Sequence, residues 1–129
     1  IYKSARHGIH ISPSGSGRLR GGEIARNMIL DPAQQGHDIY SGILMDSTGA
    51  GNGTSETMVT FNRMTSTVGG LQMKRGIEEV AGGQNDFNRY LCNMVKGWQT
   101  GAISSLAAGS SDKTNSGDGS STIELGSPV

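Results

Sequence analysis

Five carboxylates, Asp38, Asp46, Glu56, Glu78 and Glu79, are the residues of this chain best suited to chemistry. Two carboxyl groups flanking a glycosidic bond supply a general acid together with either a nucleophile, at ~5 Å separation, or a base for water, at ~6.5 to 9.5 Å. Around them, Lys74 and Arg75 offer charged donors to the carboxylates of acidic sugars. Tyr40 and Trp98 offer aromatic faces to the C–H side of a sugar ring. These nine are the expected catalytic and substrate-binding residues. Beside each stands a plainer reading: charges on a solvated edge, and rings in the core or at a subunit contact.

Other chemistries find less support. His7, His10, His37 and Asp38 are of metal-ligand type, but His7 and His10 are three apart and diverge in a strand unless His7 lies in the turn, so no metal is expected. No cofactor is expected either. The loop Gly49 to Gly53 lacks the Gly-Lys-Ser/Thr of a phosphate loop. Asn52-Gly53-Thr54 is formally a glycosylation acceptor. The single Cys92 can close no internal disulfide and is expected to be a small buried hydrophobe. Lys plus Arg and Asp plus Glu are both 11, which removes the electrostatic case for nucleic acid or an anionic membrane surface. No apolar run approaches the ~20 residues of a membrane span.

Charged residues this scattered need a scaffold that brings distant positions together, and the sequence contains a repeat. Asparagine recurs in matching phrases at Asn27, Asn62 and Asn93, in steps of 35 and 31 residues. A second series, Gly8-Ile9, Gly42-Ile43, Gly70-Leu71 and Gly101-Ala102, advances in phase by 34, 28 and 31. Repeats of this length mark stacked architectures. Composition agrees: of 129 residues only 33% are hydrophobic and 5% aromatic, thin for a conventional core but enough for one narrow apolar column. The 21 glycines have no Gly-x-y period and suit a fold with several tight turns per repeat.

The repeats predict an all-β parallel solenoid of about three and a half coils, ~17 Å of stack at ~4.8 Å per coil. The expected strands are Gly8 to Ile11, Ile24 onward, Gly42 to Met45, Met58 to Phe61, Gly70 to Met73, Tyr90 to Cys92, Gly101 to Leu106 and Thr122 to Leu125. Asparagine turns at 27, 62 and 93 are expected to bond one another across coils, with Gly126 as the fourth turn and a polar loop at about 107–121. In this stack Asp46 and Lys74 are expected at equivalent places, as are Glu78 and Glu79 beside Asp38 and Glu56. One competing pattern exists: Phe87, Tyr90, Leu91, Met94, Val95 and Trp98 follow helical spacing, with Asn85 or Asp86 as a cap. The strand reading is preferred because it keeps phase with the two earlier turns.

The phrases Ala5-Arg6-His7-Gly8-Ile9-His10-Ile11-Ser12, Gly21-Gly22-Glu23-Ile24-Ala25-Arg26-Asn27-Met28-Ile29-Leu30-Asp31, Tyr40-Ser41-Gly42-Ile43-Leu44-Met45-Asp46 and Tyr90-Leu91-Cys92-Asn93-Met94-Val95-Lys96-Gly97 resemble coils of the right-handed parallel β-helix proteins of the pectate-lyase-like superfamily. The resemblance covers about residues 1–106 and carries no catalytic motif residue by residue. It implies a carbohydrate-binding or carbohydrate-cleaving segment, a hydrolase or lyase if an enzyme, of the sort found in bacteriophage tailspikes that act on bacterial surface polysaccharide. It further implies a homotrimer in an extracellular or virion setting. The other class it admits is a non-catalytic spike module, a rigid shaft. With no cap at either end of the expected stack, the chain reads as part of a longer helix.

Overall fold

A computed structural model of the chain describes residues 1–13, 17–47, 51–80, 85–105, 111–113 and 116–117. Among these the secondary structure is all β, without a helix. The first repeat holds β1 (Ile9–Ile11), β2 (Arg18–Arg20), β3 (Glu23–Ala25) and β4 (Met28–Leu30). The second holds β5 (Ile43–Met45), β6 (Gly53–Ser55), β7 (Met58–Thr60) and β8 (Arg63–Thr65). The third holds β9 (Met73–Glu79), β10 (Arg89–Leu91) and β11 (Met94–Lys96), followed by β12 (Trp98–Ser105), β13 (Ser111–Lys113) and β14 (Ser116–Gly117).

Every strand hydrogen-bonds to strands of the neighbouring repeats. The sheets run β1-β5-β9-β12, β3-β7-β10-β13, β4-β8-β11-β14 and β2-β6, and all their pairings are parallel. Ile9, Ile43, Ile77 and Ile103 form one column through the first sheet. Ile24, Val59 and Tyr90, then Ile29, Met64 and Val95, form columns in the next two. These side chains, with Met45 and Met73, make a single apolar core.

A five-residue period inside each repeat explains the short strands. Ile24 and Ile29, Val59 and Met64, Tyr90 and Val95 are each five apart and each central in a three-residue strand. Three extended residues put the middle one inward, and a two-residue corner redirects the chain. The first corner residue is left-handed, at Arg26 (φ 56°), Phe61 (φ 55°) and Cys92 (φ 54°), and the asparagine is the second. The asparagines therefore follow the left-handed residue instead of adopting that conformation themselves. Their expected ladder is present. Asn27 Nδ2 donates to Asn62 Oδ1 and Asn62 Nδ2 to Asn93 Oδ1, both at 3.0 Å, and the backbone N–H groups of Asn27 and Asn62 donate to the same oxygens.

A second ladder at the preceding corner was not legible as a repeat of one residue type. Gly21 (φ 68°), Glu56 (φ 55°) and Phe87 (φ 52°) are its left-handed residues. Beside them the Thr57 amide donates to Asn88 Oδ1 at 3.0 Å, and Asn88 Nδ2 donates to the carbonyl of Thr54 at 3.0 Å.

The glycine series requires a correction. Gly8, Gly42 and Gly76 share one position, because Ile9, Ile43 and Ile77 are register partners. A Cβ on Gly42 would meet the Gly76 carbonyl at 2.7 Å, and one on Gly76 would meet Val95 at 2.3 Å and the Ala102 carbonyl at 2.9 Å. Gly70, the expected third member, instead turns the chain before β9 with φ 82° and open space around it. One further expectation shifts, and the competing helical pattern is set aside. Part of the polar loop at 107–121 forms β13 and β14, which pair by backbone with β10 and β11 although Ser-Asp-Lys has no apolar centre. The helical spacing over Phe87 to Trp98 marks no helix: Tyr90 and Val95 are buried while Phe87 and Met94 are exposed, so these residues make no common stripe. The expected strand Thr122 to Leu125 and turn at Gly126 lie outside the described residues.

Candidate functional site

Among the described residues, the outer face of the first sheet gathers a connected set of polar side chains. Alternation along β1, β5 and β9 turns the isoleucine column inward and puts His10, Leu44 and Glu78 in one row on the other side. Asp46 follows two residues after Leu44. Its Oδ2 lies 3.1 Å from His10 Nε2, and its Oδ1 accepts from the Ser47 amide at 2.7 Å. Glu78 accepts from Lys74 Nζ at 2.6 Å and from Arg75 Nη1 at 3.5 Å on one oxygen, and from Ser41 Oγ at 2.6 Å on the other. His7 packs its ring 5.2 Å from those of both His10 and Tyr40.

Electrostatics assigns protonation states within this cluster. Burial alone would push the Glu78 carboxyl up. Hydrogen bonds from Lys74 and Ser41, with the charges of Lys74 and Arg75, outweigh that and hold it below the ordinary glutamate range. Glu78 is therefore a carboxylate. Burial pushes His7 down, and the neighbouring His10 pushes it further. The Ser41 amide donates to His7 Nδ1 at 2.9 Å, which requires that nitrogen to be bare and places the neutral ring's proton on Nε2.

Of the nine expected site residues, the structure brings together Tyr40, Asp46, Lys74, Arg75 and Glu78. The others part company. Asp38 is exposed and accepts from Thr100 Oγ1 at 2.7 Å. Glu56 occupies a corner beside β6 and β7, 3.9 Å from Arg20. Glu79 is next to Glu78 but points inward, in the column of Ile11 and Met45, where it is 1% exposed and accepts from Asn88 Nδ2 at 2.6 Å. Trp98 is half-buried and packs against the core, apart from this cluster. Lys74 does not stack on Asp46: its amide bonds the Tyr40 carbonyl, while Val80, by its bond to Met45, stands one rung from Asp46.

His7, His10 and Ser41 are the members that sequence reasoning left out. The signal was the glycine column: once Gly76 is recognised as the third member, Glu78 falls in the row of His10, two rungs away. Cys92 and the glycosylation tripeptide also find their places. Cys92 is exposed at a corner, not buried, because the left-handed residue of each corner projects outward. Asn52 and Thr54 are 3% and 1% exposed, which shields the glycosylation acceptor in the folded chain. Among the described residues no cluster of three or more His, Cys, Asp or Glu side chains could hold a metal ion, and no helix is long and apolar enough to cross a membrane.

Comparison of the chain with protein-family models, with characterised proteins and with solved structures returned no match.

Proposed function

We propose that the repeats wind as a right-handed parallel β-helix of the pectate-lyase-like kind, and that the outer face of β1, β5 and β9 binds a polysaccharide of the bacterial surface and cleaves its glycosidic bonds, as a tailspike segment does. The observation that carries this reading is the placement of Asp46 and Glu78 on one face. Glu78 pairs in register with Leu44, so Asp46 is one rung across and two residues along from it, a backbone separation of about 8 Å. The geometry this placement is proposed to serve is the inverting one, in which a water fits between two carboxyl groups.

In the proposed reaction Glu78, held ionised by Lys74 and Arg75, takes a proton from water as the water oxygen bonds the anomeric carbon. The glycosidic C–O bond breaks, and the leaving oxygen takes its proton from the hydrogen-bonded Asp46 and His10 pair. Tyr40, Lys74 and Arg75 border the pair and supply ring contact and charge for an acidic sugar.

Incubation with a panel of capsular and O-antigen polysaccharides, following reducing ends, tests the reading. Glu78→Gln and Asp46→Asn are each expected to lower release about 10²- to 10⁴-fold, with Glu78→Gln also lowering the melting temperature because it removes the charge held by Lys74 and Arg75. No release by the parent across the panel would remove the enzyme. The non-catalytic shaft would then stand, a reading favoured by the fact that Glu78, Glu79 and Asp46 each already have a close polar partner.

A further inference from the structure

The chain is neutral as a whole, yet the outer face of β4, β8 and β11 carries charge of one sign. Residues 26–30, 61–65 and 92–96, which are these strands with their preceding corners, contain Arg26, Arg63 and Lys96 and no acid. All three cations are exposed, and among the described residues none makes a hydrogen bond or ion pair through its side chain. Arg18, Arg20, Lys74 and Arg75, on other strands, each stand beside a carboxylate. Register puts Met28, Arg63 and Met94 in one column and Leu30, Thr65 and Lys96 in the next. Arg26 belongs to the corner column of Phe61 and Cys92, its amide bonding Thr60 as that of Phe61 bonds Leu91. The cations therefore advance one repeat and two residues at each step, along a diagonal. A rung of ~4.8 Å and two residues of ~6.6 Å make each step ~8 Å. Apolar side chains flank the line: Phe61, 59% exposed, and Met94, 42%, towards the later repeats, and Met28, 63%, towards the first. The sheet continues at β14 with Ser116 and Gly117, beyond the line.

Like charges ~8 Å apart, about one Debye length at physiological salt, repel one another, and an anionic ligand laid along them removes that repulsion. We propose that a linear polysaccharide bearing carboxylates lies diagonally across the outer face of β4, β8 and β11, its acid groups on Arg26, Arg63 and Lys96 and the apolar faces of its sugars on Met28, Phe61 and Met94. Arginine forks a carboxylate through two parallel N–H groups, and lysine meets it as a point charge. Aromatic and thioether surfaces accept the C–H side of a sugar ring. The site lies on a different sheet from Asp46 and Glu78 and does no chemistry. It shares with the carbohydrate reading only the class of ligand: it stands on binding, whereas that reading stands on release of reducing ends.

A linear chain fits the line better than other anionic partners do. Three rungs by five residues is about 14 Å by 16 Å, far short of the ~800 Å² per partner of a stable protein contact. Single-stranded nucleic acid stacks successive bases on aromatic side chains, and beside these cations only Phe61 is aromatic, the other flanks being methionines. Anionic membrane surfaces are held by clusters of about four to eight cations, more than this face supplies.

Titration calorimetry with polygalacturonate and alginate, which carry a carboxylate on every sugar, and with hyaluronate, which carries one on every second, is the test. The parent is expected to bind at least one of the three, more weakly as salt rises, and not to bind neutral dextran. Arg26→Gln, Arg63→Gln and Lys96→Gln are each expected to weaken that binding about threefold or more, and the triple variant about thirtyfold or more. Arg20→Gln, which removes an exposed cation of another sheet, is expected to leave it unchanged. All four positions are on the surface, and circular dichroism verifies that each variant is folded. The proposal is overturned by a parent that binds none of the three, by a triple variant that binds as the parent does, or by an equal loss in Arg20→Gln. Equally tight binding of polyglutamate or oligothymidylate would overturn it too, since the face would then select charge and not sugar.

Discussion

At the scale of single residues, His7 and Glu78 tie the stability of this chain to pH in the same direction. His7 titrates below its ordinary value of 6.5 in the fold, so between the folded and unfolded values the unfolded chain binds more protons. Its contribution is complete above pH 6.5 and is lost as pH falls towards the folded value. Glu78 behaves likewise around its ordinary 4.5: complete above it, lost as acid reaches the depressed folded value. Melting followed by circular dichroism should therefore show two successive losses on acidification, one beginning near pH 6.5 and one near pH 4.5. His7→Asn keeps an acceptor for the Ser41 amide but cannot titrate, and it should flatten the first loss alone. An unchanged slope between pH 7 and 5.5 in that variant would count against the assignment. None of this was legible from residue type, because the shift of His7 comes from burial and from His10, and its acceptor role from the Ser41 amide.

At the scale of the elements, the glycines divide by what surrounds them. Gly76 is enclosed by Val95 and the Ala102 carbonyl, whereas Gly69 has open space. Gly76→Ala is expected to destabilise by about 2 kcal/mol or more, since the nearest contact is too short to be relieved without moving β11 or β12. Gly69→Ala should change stability by less than about 0.5 kcal/mol. Urea denaturation of the pair decides this, and equal effects would refute the steric account. The sequence alone offers Gly70 and Gly76 as rivals for the same column. Gly76-Ile77 repeats the letters of Gly8-Ile9 and Gly42-Ile43 and their step of 34, whereas Gly70-Leu71 shares only the glycine, and register places Gly76 in the column. The five-residue corner period was hidden because, apart from Gly21, its left-handed positions are filled by Arg, Glu, Phe and Cys, types that carry no turn signal.

At the scale of the whole molecule, partners in every sheet are distant in sequence, and the asparagine ladder joins three repeats through its side-chain amides and the backbone groups they reach. Asn62 is the middle rung. It is 1% exposed, donates to Asn93 and to the Ile24 carbonyl, and accepts from Asn27. Asn62→Ala leaves buried donors and acceptors on both sides without partners and is expected to cost about 2–4 kcal/mol, measured by chemical denaturation. Asn27→Ala, at the half-buried end of the ladder, should cost less. An equal loss at both positions would mean that the ladder is three independent turns.

What the sequence by itself determined is the repeat and its all-β character. The spacing of Asn27, Asn62 and Asn93 is read directly because each asparagine satisfies the next through an identical local bond, and such a requirement shows in one-dimensional phase. The tertiary structure decided which face each charge occupies. Glu78 and Glu79 are adjacent letters of one type, yet alternation in β9 turns one outward to Lys74, Arg75 and Ser41 and the other inward to Asn88. A shift of one residue in register would exchange them, and register is fixed by the close approach of Gly42 to Gly76 across strands 34 residues apart.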